Sequence, residues 1–261
     1  YLIAIDYFSI ETFLLLFFGG FFLVGASNGF NQIIERERDS IMDRTKNRPI
    51  PLGKISPRSA FIICLIMILS GIVLLYLINF RTAFFGLIST LIYLFLYTPL
   101  KTRTPLCVFF GAISGAIPFM LGWVAATNKF GIEPGVLFMI QFFWQFPHFW
   151  SIGWLSDDDY KKAGFKMLPT GKKDKSTAFQ IVFYTIWTIL VSLIPLSGFS
   201  GLLTISYISG LLIFLAGIFM LSKSINLMLY MNNLNALRLK YASIFYLTFI
   251  QIIFVLDKFI I

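Results

Sequence analysis

Eight apolar runs, each close to the length needed to cross a bilayer, follow one another along the chain with short polar breaks between them. They fall at roughly 8–30, 57–78, 82–98, 105–127, 134–155, 178–195, 201–221 and 238–257. A helix needs about 20 mainly apolar residues to traverse the hydrocarbon layer. Hydrophobic residues make up 58% of the 261 positions and charged ones 13%, whereas soluble domains carry about 45–50% and about 25%. That balance excludes a soluble domain, and it excludes a disordered chain, which would be poor in apolar residues. The expectation is an all-α integral membrane protein: one domain over residues 1–261, a bundle of eight transmembrane helices. Ser56-Pro57 supplies a cap followed by proline at a helix start. Pro118, Pro147 and Pro195 mark expected kinks or ends.

Charge placement fixes the orientation. Assigning loops 31–56, 99–104, 156–177 and 222–237, with the helix ends beside them, to one face puts on it all of the 21 Lys and Arg residues except Arg81, Lys129 and Lys258. Positive residues mark the cytoplasmic side. The expected setting is a bacterial inner (plasma) membrane with the basic face, and any site built on it, toward the cytoplasm, the mitochondrial inner membrane being the alternative. Eight spans in that orientation leave both termini outside, and the chain opens on Tyr1 with no basic stretch before its first run. A further helix upstream is therefore expected, giving nine in the intact protein. The net charge of +9 belongs to this orientation pattern and calls for no nucleic acid. Cys64 and Cys107 lie inside apolar runs, as small packing residues, and the single His148 excludes a His-rich metal site.

Polar residues gather at the basic end. Asn31, Glu35 and Asp39 repeat every fourth position, so a helix would stack them on one face. An amide oxygen and two carboxylates suit Mg²⁺, which takes one or two carboxylates together with substrate phosphates and water. Arg44 and Arg48 follow at the same spacing, and a guanidinium fork matches phosphate oxygens. Together they describe a metal–diphosphate clamp; the same charges could also pair with each other in a solvated loop. Lys101 and Arg103 stand on the same face, as diphosphate contacts or as orientation charges. Gln145 and His148 are three residues apart near the inner end of a span. Asp157, Asp158 and Asp159 follow, able either to hold a second metal or to offset Lys161 and Lys162. The aromatic share of 18% provides rings for a prenyl tunnel or for a carbocation, although lipid-facing positions account for most of them.

The stretch Asn31-x-x-x-Glu35-x-x-x-Asp39-x-x-Met42-x-Arg44-Thr45-x-x-Arg48-Pro49 resembles the first signature of the UbiA-type intramembrane prenyltransferases. Its Met-x-Arg-Thr-x-x-Arg-Pro part looks like the haem-farnesylating branch. Three further segments agree with that branch: Tyr97-Thr98 with Lys101 and Arg103-Thr104; Pro147-His148-Phe149-Trp150; and Asp159-Tyr160 with Ala163-Gly164 and Met167-Leu168-Pro169. The similarity runs in register from about residue 20 to 175. Two departures stand out: Glu35 occupies a position where many members have Asp, and the broader family's second Asp-x-x-x-Asp is missing, since Leu155 and Ala163 flank Asp159 at that spacing.

The resemblance implies a helical bundle around a central cavity, and transfer of farnesyl from farnesyl diphosphate to a vinyl group of haem b, giving haem O and diphosphate. It implies one or two Mg²⁺ ions held by Asn31, Glu35, Asp39 and Asp159. It implies Lys101, Arg44, Arg48 and Arg103 on the diphosphate, and His148, with Met42 second, toward haem. The product would serve haem–copper oxidases, directly or through haem A synthase. The rival expectations are a UbiA-type enzyme with an aromatic quinone-precursor acceptor and a non-catalytic membrane haem carrier. A transporter would need intramembrane polar residues through the whole depth and inverted repeats, whereas the middle spans are nearly uncharged and the polar residues gather at one end.

Overall fold

The computed structural model describes residues 1–260, and among these every regular element is a helix, with no strand. Eight long helices follow one another: α1 (Ile10–Ile34), α2 (Pro57–Ile78), α3 (Phe80–Leu91), α4 (Cys107–Thr127), α5 (Ile132–Leu155), α6 (Lys175–Ser192), α7 (Tyr207–Tyr230) and α8 (Asn233–Ile260). Capping side chains start most of them. The hydroxyl or carboxylate of Ser9, Ser56, Asp174 and Ser206, and the Asn79 amide oxygen, each accept from the backbone N–H three residues on. Each satisfies a donor that the first helical turn would otherwise strand.

Seven of them have the length and apolarity of membrane spans, α3 doing so as part of a continuous helical stretch from Phe80 to Leu100. The other, α5, is as long at 24 residues, but Gln141, Gln145, Pro147 and His148 dilute its hydropathy. It is nevertheless the hub, with more than half of its residues buried. In the most apolar window of α2 only 17% of residues are buried in the protein, against 61% in α4. So α4 and α5 form the interior and α2 faces lipid. Each helix packs on the next, and α8 returns onto α5.

The α1–α2 contact relies on small residues. A Cβ on Gly19 would lie 2.7 Å from Leu75, and one on Gly71 3.0 Å from the Gly19 carbonyl, so close backbone approach is needed there. Pro118 inside α4 cannot donate to the Ser114 carbonyl, and Ser89 Oγ of α3 donates to it instead at 2.8 Å. Gln145 Nε2 crosses from α5 to the Ala112 carbonyl at 2.9 Å, beside Gly115, where any side chain would collide with it.

Two boundaries differ from the sequence expectation. The seventh span, expected at 201–221, runs Tyr207–Tyr230. The apolar residues before it form a turn through Gly198 and Gly201, both with positive φ. The loop expected over 222–237 is mostly helix, because α8 begins only three residues after α7 ends. Lys223 therefore falls inside α7, its ammonium 4.8 Å from the Phe219 ring, a long stem reaching back along an apolar surface.

Candidate active site

At the basic end, α1 does not continue straight through the acidic stretch. Glu35 leaves helical geometry (φ −96°, ψ 8°) and a short helix, Arg36–Asp39, follows. The four-residue bonding persists across the kink: Glu35 N–H donates to the Asn31 carbonyl at 2.9 Å and Asp39 N–H to the Glu35 carbonyl at 2.7 Å. Asn31, Glu35 and Asp39 therefore still line one cavity of about 490 Å³, within the range of about 300–1,000 Å³ usual for small-molecule sites.

The three are buried, at 7%, 4% and 0% exposure. Lys101 Nζ lies 3.0 Å from both Glu35 oxygens but is aligned to donate only to Oε2. Arg48 Nη1 donates to Asp39 Oδ2 at 2.7 Å. Each carboxylate thus keeps one buried oxygen, Glu35 Oε1 and Asp39 Oδ1, with no hydrogen-bond partner. A buried acceptor without a hydrogen bond is costly; Asp39 Oδ1, and Glu35 Oε1 with only the Lys101 ammonium beside it, fit a hard cation in one cavity. Among the described residues no three His, Cys, Asp or Glu side chains gather as a metal site. A cation here would draw on two carboxylates, an amide oxygen and its substrate, the donor set Mg²⁺ favours.

The orientation of Asn31 is set from α3. That helix runs into a π-helical segment, Ile92–Tyr97, and then Thr98–Leu100. Thr98 Oγ1 donates to the Tyr93 carbonyl at 2.9 Å. With its proton used, it accepts from Asn31 Nδ2 at 3.2 Å, so the amide oxygen is what Asn31 offers to the cavity. π segments recur at functional sites. Here it also brings Tyr93 and Tyr97, with ring centroids 5.0 Å apart, into the cavity wall. Lys101 Nζ sits 4.5 Å from the Tyr97 ring and 5.6 Å from that of Phe165.

Met42, Arg44 and Arg48 also line the cavity. Their loop is stapled by Thr45 Oγ1, which donates to the Asp39 carbonyl at 2.9 Å. Above it, hydrogen bonds from Lys46 and then Lys162 hold the Asp43 carboxyl down at about 2.

Three expected site residues stand elsewhere. Asp159 does not line the cavity: its carboxylate accepts from Arg44 N–H at 3.2 Å and lies 3.5 Å from Lys162. Both oxygens are engaged, and Asp157 pairs with Lys161 at 2.7 Å, so these two aspartates offset lysines. Arg103 is also outside the lining, its carbonyl accepting from Lys166 Nζ. His148 turns to α8: its Nδ1 is 2.9 Å from Ser243 Oγ and its ring stacks 4.6 Å from Trp144. Ser243 Oγ donates to the Lys240 carbonyl at 2.7 Å, so the histidine supplies the proton of the shared bond and Nε2 keeps its lone pair in the neutral ring. Phe149, next to it in the chain, and Ile152, one turn on, do line the cavity.

The motifs assigned no role to Asn28, Gln32, Tyr93 or Phe165, all part of the lining. Asn28 accepts from Tyr93 OH at 3.2 Å. It stands three residues before Asn31 at the polar end of an apolar run, and that spacing could have marked it.

A family model described as the UbiA prenyltransferase family matches residues 1–247. The chain belongs to this family. A protoheme IX farnesyltransferase from Christiangramia forsetii is 57% identical over 260 residues, covering 100% of this chain and 87% of that one. One from Flavobacterium psychrophilum is 53% identical over 263 residues, covering 100% and 88%. Among solved structures, a digeranylgeranylglyceryl phosphate synthase superposes with a TM-score of 0.81 at 22% identity, over 98% of this chain and 89% of its own. A UbiA homolog from Archaeoglobus fulgidus bound to GPP and Mg²⁺ gives 0.67 at 16%, over 94% and 88%. The two structures share the fold, a membrane-spanning helical bundle, and this family member is an integral membrane prenyltransferase.

Proposed function

We propose that the protein transfers the farnesyl group of farnesyl diphosphate to a vinyl group of haem b, giving haem O and diphosphate. The observation that carries the reading is the cavity at the basic end, where two buried carboxylates, each with an oxygen that accepts no hydrogen bond, face Lys101 and Arg48. The haem acceptor rests on the relatives of 53–57% identity named for it. The basic end faces the cytoplasm, as the distribution of Lys and Arg supports.

Glu35, Asp39 and the Asn31 carbonyl would hold Mg²⁺, and the orphaned oxygens support that fit. When bound, the ion supplies positive charge to the diphosphate oxygens. Arg44, Arg48 and Lys101 bind those oxygens and take up the charge that builds on them as the bond between C1 and oxygen breaks, the electron pair leaving with diphosphate. Preorganised cations act where that charge develops. Tyr93, Tyr97 and Phe149 line the cavity, where aromatic rings steady an allylic cation and keep water from it. The haem vinyl carbon then supplies the electron pair for the new C–C bond. Water adds to the cation left on the haem side chain and releases a proton. His148, with its Nε2 lone pair available, is the candidate axial contact to haem, and Met42 the candidate in the cavity wall. Haem O would pass to haem–copper oxidases directly or through haem A synthase.

The test is the product. The full-length protein in detergent, given haem b, farnesyl diphosphate and Mg²⁺, yields a haem heavier by one hydroxyethylfarnesyl modification on mass spectrometry. Prenylation of 4-hydroxybenzoate with haem b left unchanged would keep the clamp and overturn the acceptor.

A further inference from the structure

Arg44 is the one cavity cation with no carboxylate paired to its guanidinium among the ion pairs of the described residues. It is held at both ends by two consecutive residues more than a hundred positions away. Asp159 Oδ2 accepts from its backbone N–H at 3.2 Å. The Tyr160 hydroxyl accepts from Nη2 at 3.2 Å, with the guanidinium carbon 5.5 Å from the ring centroid. Lys162 engages the other oxygen of Asp159. This carboxylate therefore differs from those of Glu35 and Asp39, each of which keeps a buried oxygen that accepts no hydrogen bond.

We propose that Asp159 and Tyr160 are positioning residues that fix Arg44 for the diphosphate, and that Asp159 is not a metal ligand. The inference rests on the diphosphate reading of the cavity given above. A long side chain on a loop loses rotamer freedom when it grips a ligand. Anchoring its backbone at Asp159 and one edge of its head at Tyr160 removes that cost beforehand, and the remaining guanidinium N–H groups stay available to phosphate oxygens. The short helix Asp157–Lys162 thus orients a binding residue of a different loop, using a carboxylate whose charge also steadies Lys162.

The measurement pairs steady-state kinetics with calorimetric binding of a non-reactive farnesyl thiodiphosphate, on the full-length protein. Asp159→Ala is expected to raise both KM for farnesyl diphosphate and Kd for the analogue about tenfold, the scale of a lost charge-assisted hydrogen bond. The Mg²⁺ concentration for half-maximal activity stays unchanged. Asp159→Asn keeps an acceptor oxygen without the charge and recovers most of the loss. The double variant Arg44→Ala with Asp159→Ala is no worse than Arg44→Ala alone. Tyr160→Phe shifts KM in the same direction and serves if Asp159→Ala does not fold. A tenfold shift in Mg²⁺ half-saturation, equal damage from Asn and Ala, or multiplying effects in the double variant would overturn the proposal. A wild-type protein that does not bind the analogue would instead bring down the diphosphate reading itself.

Discussion

Lys101 Nζ lies 3.0 Å from the Glu35 carboxylate, across 66 residues of sequence, and both side chains are more than nine-tenths buried. Neither charge would be tolerable alone at that depth, since an unpaired buried ion costs far more than the pair gains. The ion pair joins the end of α1 to the end of the π-interrupted helix after α3, so the wall of the cavity and its charge balance are set by one contact.

Lys101→Met therefore damages folding as well as activity, because it strands Glu35. Breaking a buried pair typically costs about 3–5 kcal/mol. Thermal unfolding in detergent should fall sharply for Lys101→Met and largely recover in Glu35→Gln with Lys101→Met, while activity stays lost in both.

Asp39→Ala removes a carboxylate with an unpaired oxygen and leaves Arg48 without its partner. Losing one group of this kind costs about 10²–10³ in turnover. The protein is expected to insert and to bind haem as before, read from the Soret band. More than half the activity remaining would remove Asp39 from the clamp.

Thr98→Val leaves the Asn31 amide free to rotate while touching no substrate. Partners that orient metal-binding groups are typically worth about 10–100-fold in metal affinity. The Mg²⁺ half-saturation should rise into that range with little change in KM for farnesyl diphosphate at saturating metal. An unchanged metal requirement would separate Asn31 from the cation.

His148→Ala should shift the Soret band of bound haem if Nε2 approaches the iron. Ser243→Ala, which frees the ring that Nδ1 anchors, should give a smaller shift. An unchanged spectrum in His148→Ala with haem retained would end the ligation idea.

Much of this was legible in the chain itself. Runs of apolar residues set the helices, and the fourfold spacing of Asn31, Glu35 and Asp39 survived a kink at Glu35 because the backbone bonding across it is still helical. The boundary of α7 was not legible, because hydropathy cannot separate an apolar turn through Gly198 and Gly201 from the helix that follows. Nor could spacing show that Asp159 and His148 would be turned toward Arg44 and Ser243, which lie 115 and 95 residues away. Those contacts depend on which helices become neighbours. The π segment that aims Asn31 has no signature in composition, and only the proline at 99 hints at irregular backbone there.

The most direct measurement is the position of the metal. Crystals of the full-length protein with Mn²⁺ in place of Mg²⁺ and a non-reactive farnesyl thiodiphosphate would report it by anomalous scattering. The account predicts metal bound by the carboxylates of Glu35 and Asp39, with the diphosphate reaching Lys101, Arg48 and Arg44, and none at Asp159. Metal held instead by Asp157, Asp158 or Asp159, with Glu35 and Asp39 still paired only to Lys101 and Arg48, would contradict it.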